Sequence, residues 1–211
     1  MQYIALGLTL LSLAGFQEAK TTAEQDRPRL DKIAAVYTGG KTEEAITQLK
    51  EYLESFARDD LAWTILGHAY KDLGRMDEAQ ASYESALNVN SRQFQAITGQ
   101  GIVHRTRGEY DKAMKAYERA VEIDPKYAQA YSSMTTIALK QKQDKKALEF
   151  AKKGYELDKT DPVIAANLAI AYHYNNDKVN RDKLTQTAKE LGYAKVDTLL
   201  KIYSGELTVR D

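Results

Sequence analysis

Three histidines, His68, His104 and His173, and the run Gly39-Gly40-Lys41-Thr42 are the residues of this chain that invite a chemical reading first. No histidine has a second histidine or a carboxylate at a recognised metal-ligand spacing, so no metal site is expected. The chain has no cysteine, which removes thiol nucleophiles, thiolate metal ligands and disulfides together. Gly-Gly-Lys-Thr resembles the end of a phosphate-binding loop. Ala35, however, stands where the first glycine of G-x4-G-K-T belongs, and no strand-like segment precedes it. No Ser-His-acid set or paired carboxylates stand out from the charged surface residues, so the expectation is no catalytic residue, no cofactor and no enzyme.

The glycine run is better explained by what surrounds it. Gly40-Lys41-Thr42-Glu43-Glu44-Ala45 returns at a fixed interval as Gly74-Arg75-Met76-Asp77-Glu78-Ala79, then as Gly108-Glu109-Tyr110-Asp111-Lys112-Ala113 and Lys142-Gln143-Asp144-Lys145-Lys146-Ala147. A period held this strictly marks an array of one small unit. The units fall at about 26–59, 60–93, 94–127 and 128–161, with a degenerate fifth at 162–191 and a cap at 195–204. Trp63, Leu66 and Tyr70 lie three and four apart and form one stripe on a first helix, and Ala79, Tyr83 and Ala86 form another on a second. Each unit is therefore a helical hairpin. Gly67 and Gly101 are expected where two helices approach closely. Gly40, Gly74 and Gly108 are expected to stop first helices in the left-handed conformation. Thr42, Asp77, Asp111 and Asp144 are expected to cap the second helices. Asp124-Pro125 and Asp161-Pro162 mark unit boundaries.

The fifth unit keeps Leu168, Ala169 and Tyr172, but Arg181 takes the alanine place. Its second helix is expected to be displaced by an insertion and to run from about Val179 to Leu191. A last helix near Val196–Tyr203 would turn Val196, Leu199, Leu200 and Tyr203 inward. A single hairpin cannot bury its stripe alone, whereas stacked neighbours share a core. The fold class is all-α: an α-solenoid of stacked helix-turn-helix hairpins with a C-terminal capping helix.

Trp63, Leu66, Gly67, Tyr70, Ala79, Tyr83 and Ala86, answered by Ile97, Gly101, Gly108, Ala113, Tyr117, Ala120 and Pro125, resemble the tetratricopeptide repeat, W-x2-L-G-x2-Y followed by A-x3-F and a late proline. The resemblance covers most of residues 29–211. It implies a protein-interaction scaffold whose first helices line a concave groove. The groove positions it implies here are Thr64, His68, Lys71, Gln95, Thr98, Arg105, Gln129, Ser132, Asn167 and His173. That surface is polar with scattered basic points, suited to a peptide or helix of another protein. Chaperone-binding members grip a terminal carboxylate with a lysine and an asparagine; Thr64 and His68, then Thr98 and Ile102, hold those places here, so that clamp is not expected. A self-assembling oligomer is the alternative reading.

Thirty basic and thirty acidic residues cancel, which argues against a nucleic-acid binder. The lysines between Lys140 and Lys153 are interleaved with Asp144 and Glu149, as on a solvated helix face. The first seventeen residues carry no charge, and the apolar run Tyr3–Ala14 precedes a polar spacer. Residues 1–15 read as a signal peptide cut after Ala14 or Gly15 and 16–28 as a spacer, although Gln2 stands where a basic residue is usual. The expectation is export, to a periplasm, with membrane association only through an uncleaved leader and a cytoplasmic location if the leader does not function. Phe16 replaces the cysteine that lipidation would need.

Overall fold

The computed structural model describes residues 26–210, so the leader-like segment and most of the spacer lie outside the described residues. Among the described residues there are eleven helices and no strand. They are α1 (Arg27–Thr38), α2 (Thr42–Ser55), α3 (Asp60–Asp72), α4 (Met76–Val89), α5 (Phe94–Thr106), α6 (Tyr110–Ile123), α7 (Ala128–Lys140), α8 (Asp144–Leu157), α9 (Pro162–Tyr174), α10 (Lys178–Glu190) and α11 (Val196–Ser204). These are five helical hairpins and a closing helix, the α-solenoid class. No helix among the described residues is long and apolar enough to cross a membrane. The chain divides into two compact units, one up to Ala96 and one from Ile97, the boundary falling inside α5.

In the first unit α1 packs on α2, α2 on α3 and α3 on α4. Leu30, Leu49, Tyr52, Ala62, Leu66 and Tyr83 fill the spaces between them. Gly67 is small because α4 lies against it: a Cβ there would stand 2.5 Å from Cε1 of Tyr83. Trp63, counted in the same stripe as Leu66 and Tyr70, is only half-buried, and its indole N–H donates to the Ala57 carbonyl at 2.8 Å.

In the second unit the same device recurs, with a Cβ at Gly101 falling 2.9 Å from Cζ of Tyr117. One apolar cluster joins Ala113, Met114, Tyr117, Ala130, Met134 and Ile137, and a larger one runs from Ala138 through Leu168 to Ile202. The closing helix packs on α9 and α10. It buries Leu199 and Ile202 and packs Tyr203 against the core, while Leu200 is 53 % exposed, so of the residues expected to turn inward Leu200 is the one that does not.

The turn inside each hairpin is closed by the backbone. Gly40, Gly74 and Gly108 have φ of 82°, 73° and 74°, as expected for left-handed stops. The next amide then bonds five residues back: Arg75 N–H to Tyr70 O at 2.9 Å, and Gln143 N–H to Ala138 O at 2.8 Å. This six-to-one bond is the Schellman closure. The helices that follow start without a side-chain cap, which corrects the expectation for Thr42, Asp77, Asp111 and Asp144. The residues at the cap position of those helices are Lys41, Arg75, Glu109 and Gln143, none with a side-chain cap bond. The three aspartates lie instead in first turns, where their charge meets the positive end of the helix dipole. Side-chain caps occur elsewhere, at Asp59, Asp161 and Asp177.

The fifth hairpin contains no insertion. Helix α10 begins at Lys178, one full repeat period after α8 begins at Asp144. Its turn residue is Asn176 at φ 60°, as Lys142 at φ 58° is in the fourth. Asparagine enters the left-handed region at low cost, so the turn survives without its glycine signature. Arg181 fits at the alanine place because its guanidinium stacks 4.8 Å from the Tyr203 ring of α11.

Candidate functional site

The ten groove positions divide by burial. Thr64, Thr98 and Ser132 occupy the same place in successive first helices and are 1 %, 8 % and 9 % exposed. Ala166 continues the series at 0 %. The Thr64 hydroxyl donates to Asp60 O at 2.7 Å, one turn back in its own helix, and Ser132 Oγ accepts from Nδ2 of Asn167 at 2.7 Å. From α3 onward the place holds small residues, whereas α1 has Leu30 there, also buried. In the second unit, where α7 packs on α9, the Ser132–Asn167 bond bridges the two first helices. These three positions are therefore corrected from ligand-facing to packing residues, and Asn167 is drawn into the same contact.

One and two turns further along, His68, Lys71, Arg105 and His173 stay half-buried, whereas Leu139 and Ile170 at the equivalent places are buried. In the first unit His68 meets Tyr83, with Nδ1 2.7 Å from the hydroxyl. Burial, and then the charge of Lys71, lowers the His68 pKa to about 4, while burial pushes the Tyr83 phenol upward. The pair is thus a neutral ring hydrogen-bonded to a neutral phenol. Lys71 lies 2.7 Å from Asp72. Asp72 also accepts the Tyr37 hydroxyl. Burial would raise the Asp72 carboxyl, but hydrogen bonds from Lys71 and Tyr37 hold it below its usual range. The cation that sequence reasoning singled out is therefore already compensated. Tyr37 and Asp72 were missed, although Tyr37 stands one repeat period before Lys71, at the same place in its hairpin. Gln95 is exposed at the start of α5.

In the second unit Gln129 is exposed and Arg105 and His173 are half-buried. The Nε of Arg105 is buried without a hydrogen-bond partner. His173 packs against Tyr174 and Tyr203, each with ring centroids 5.0 Å away. Its pKa is lowered by burial and then by the charges of Arg181 and Arg210. Arg210, also missed in the sequence, stacks 4.0 Å over Tyr174 and pairs with Asp144. His104 is held by Glu109 at 2.7 Å. Among the described residues no group of three or more His, Cys, Asp or Glu side chains is gathered as a metal would require.

The Tetratricopeptide repeat family model matches residues 30–79 and 66–128. No curated protein matches the chain. Among solved structures, PilF of Pseudomonas aeruginosa is similar with a TM-score of 0.74 at 18 % identity, over 91 % of this chain and 87 % of that one. MamA of Desulfovibrio magneticus RS-1, from its residue 41 to the end, gives 0.70 at 22 % over 78 % and 93 %. YrrB, described as a TPR protein with an unusual peptide-binding site, gives 0.67 at 17 % over 91 % and 97 %. At such identities the likeness to these structures is one of fold.

Proposed function

Given that this chain is a tetratricopeptide-repeat protein, we propose that it works as a protein-interaction scaffold, holding a peptide or helix of another protein against the groove faces of its first helices. One observation carries the reading: the hairpins keep a strict register while a single position, half-buried in three of the first helices, changes from Lys71 to Arg105 and His173, the equivalent Leu139 being buried. The backbone is held constant and the side chain offered at that place varies, which is how a repeat scaffold is adapted to a ligand. YrrB, a relative in fold, has a peptide-binding site. The leader-like run Tyr3–Ala14 supports an exported protein, an assembly factor in the cell envelope being the specific form we favour.

The test is recovery of the tagged protein from fractionated cells beside a Lys71→Ala, Arg105→Ala variant shown by circular dichroism to be folded. A partner lost only from the variant supports the scaffold reading, and the fraction in which it is found reports export. Recovery of nothing except further copies of the chain, with a mass that rises with concentration, supports self-assembly instead.

A further inference from the structure

At the closing end of the second unit the chain binds a segment of itself. Gly205, at φ 84°, ends α11 and turns the backbone, and the Leu207 N–H donates to Lys201 O at 3.0 Å. Residues 206–210 then pass the end of α9 without helix or strand. The Arg210 guanidinium stacks 4.0 Å from the centre of the Tyr174 ring and pairs with the Asp144 carboxylate at the start of α8. The Val209 N–H donates to the Tyr174 hydroxyl at 3.4 Å, and Thr208 Oγ1 lies 3.2 Å from the same oxygen. An irregular segment is thus received by one ring face, one phenol oxygen and one carboxylate.

The receiving side chains are held without help from the tail. His173 stands edge-on to Tyr174, with ring centroids 5.0 Å apart. Asn175 donates through Nδ2 to Asp144 O at 2.8 Å, tying the end of α9 to the start of α8. Repeat packing does not ask for the Asp144 and Tyr174 pair, since one period earlier the same places hold Tyr110 and Lys140, and before that Met76 and Thr106. The tail's own fit is incomplete. The Nε of Arg210 is buried without a hydrogen-bond partner, and a buried donor left unsatisfied is costly. Leu207 stays 46 % exposed. Beside the niche an open cleft of about 680 Å³ continues between the turn at Lys142 and the end of α9. Lys142, Lys145 and Lys146 line it and repel further cations, so the niche suits a single arginine.

We propose that Tyr174 and Asp144 form a binding site for one arginine of a partner's peptide segment, and that residues 206–210 are a strap filling this site in cis until the partner displaces it. An arginine on a free peptide is not confined to the tail's short span and can set its fork bidentate on Asp144 while it stacks on Tyr174. The tether gives the strap a high effective concentration. Binding is therefore conditional on a segment that offers more contacts than the strap does. The inference rests on the scaffold reading and adds to it a site, a ligand residue and a regulator.

A random peptide library displayed on phage is panned against the unmodified chain and against Arg210→Ala. The expected result is enrichment of arginine-bearing peptides on Arg210→Ala, the best of which binds the unmodified chain about tenfold more weakly because the strap occupies the site most of the time. Adding Asp144→Asn to Arg210→Ala should abolish that gain, whereas non-specific adhesion to a loosened fold would survive it and overturn the inference. Enrichment of peptides with no preference for arginine overturns the inference and leaves the scaffold reading standing. Arginine-bearing peptides that bind both proteins equally also overturn it, because they then lie elsewhere. Failure to enrich any peptide on either protein overturns both readings. A mass that rises with concentration in the unmodified chain and not in Arg210→Ala would assign the strap to a second copy and overturn the cis site.

Discussion

The Tyr83 hydroxyl lies 2.7 Å from Nδ1 of His68. Tyr117, one repeat period on, has the same place in its hairpin, but Ile102 stands where His68 does and the Tyr117 hydroxyl is buried without a partner. The same substitution should therefore have unequal effects. Tyr83→Phe strips a half-buried imidazole of its hydrogen-bond partner and should cost about 1 kcal/mol, whereas Tyr117→Phe removes an orphaned hydroxyl and should be neutral or mildly stabilising. Urea unfolding of both variants checks this; equal losses would contradict it.

The depressed His68 pKa has a consequence for acid stability. A neutral histidine favoured by the fold contributes fully above its unfolded value of 6.5, and that contribution is lost as pH falls towards about 4. Over this window the wild type should lose about 2–3 kcal/mol more than His68→Gln does. The measurement is the urea midpoint at a series of pH values for both proteins, and parallel curves would refute the linkage.

Gly67 and Gly101 leave no room for a methyl group, with Cβ positions 2.5 Å and 2.9 Å from the nearest ring carbons of Tyr83 and Tyr117. Gly67→Ala and Gly101→Ala should each destabilise by about 1–3 kcal/mol, since a packed ring must move. The loss at Gly67 should shrink in a Tyr83→Leu background. Additive losses in the double variant would show that the ring is not the obstacle.

Lys142 adopts φ 58° where three other hairpins use glycine. Lys142→Gly should stabilise by about 0.5–1 kcal/mol, relief of left-handed strain exceeding the added flexibility of the unfolded chain. Gly74→Ala should destabilise by about 1 kcal/mol at the equivalent place. Thermal melts of the two variants should shift in opposite directions.

By itself the sequence determined the hairpins. A constant repeat register, apolar residues three and four apart, and glycine at the turns are local signals, and each corresponds to one torsion preference or one buried stripe. Even the close approaches at Gly67 and Gly101 were legible, because a small residue opposite a tyrosine one helix later leaves few other arrangements. The fifth turn was not, because Asn176 performs the glycine's task without its letter. Tertiary structure alone decided what the groove positions do. Thr64, Thr98 and Ser132 have the composition of a polar binding surface, yet their burial depends on how closely neighbouring helices approach, and no residue type reports that distance. Lys71 and Arg105 look alike in sequence and differ in the fold: one finds a carboxylate within 2.7 Å, and the other keeps a buried nitrogen unpaired. Electrostatic compensation is a property of positions brought together in space, so only the folded chain could separate the two cations.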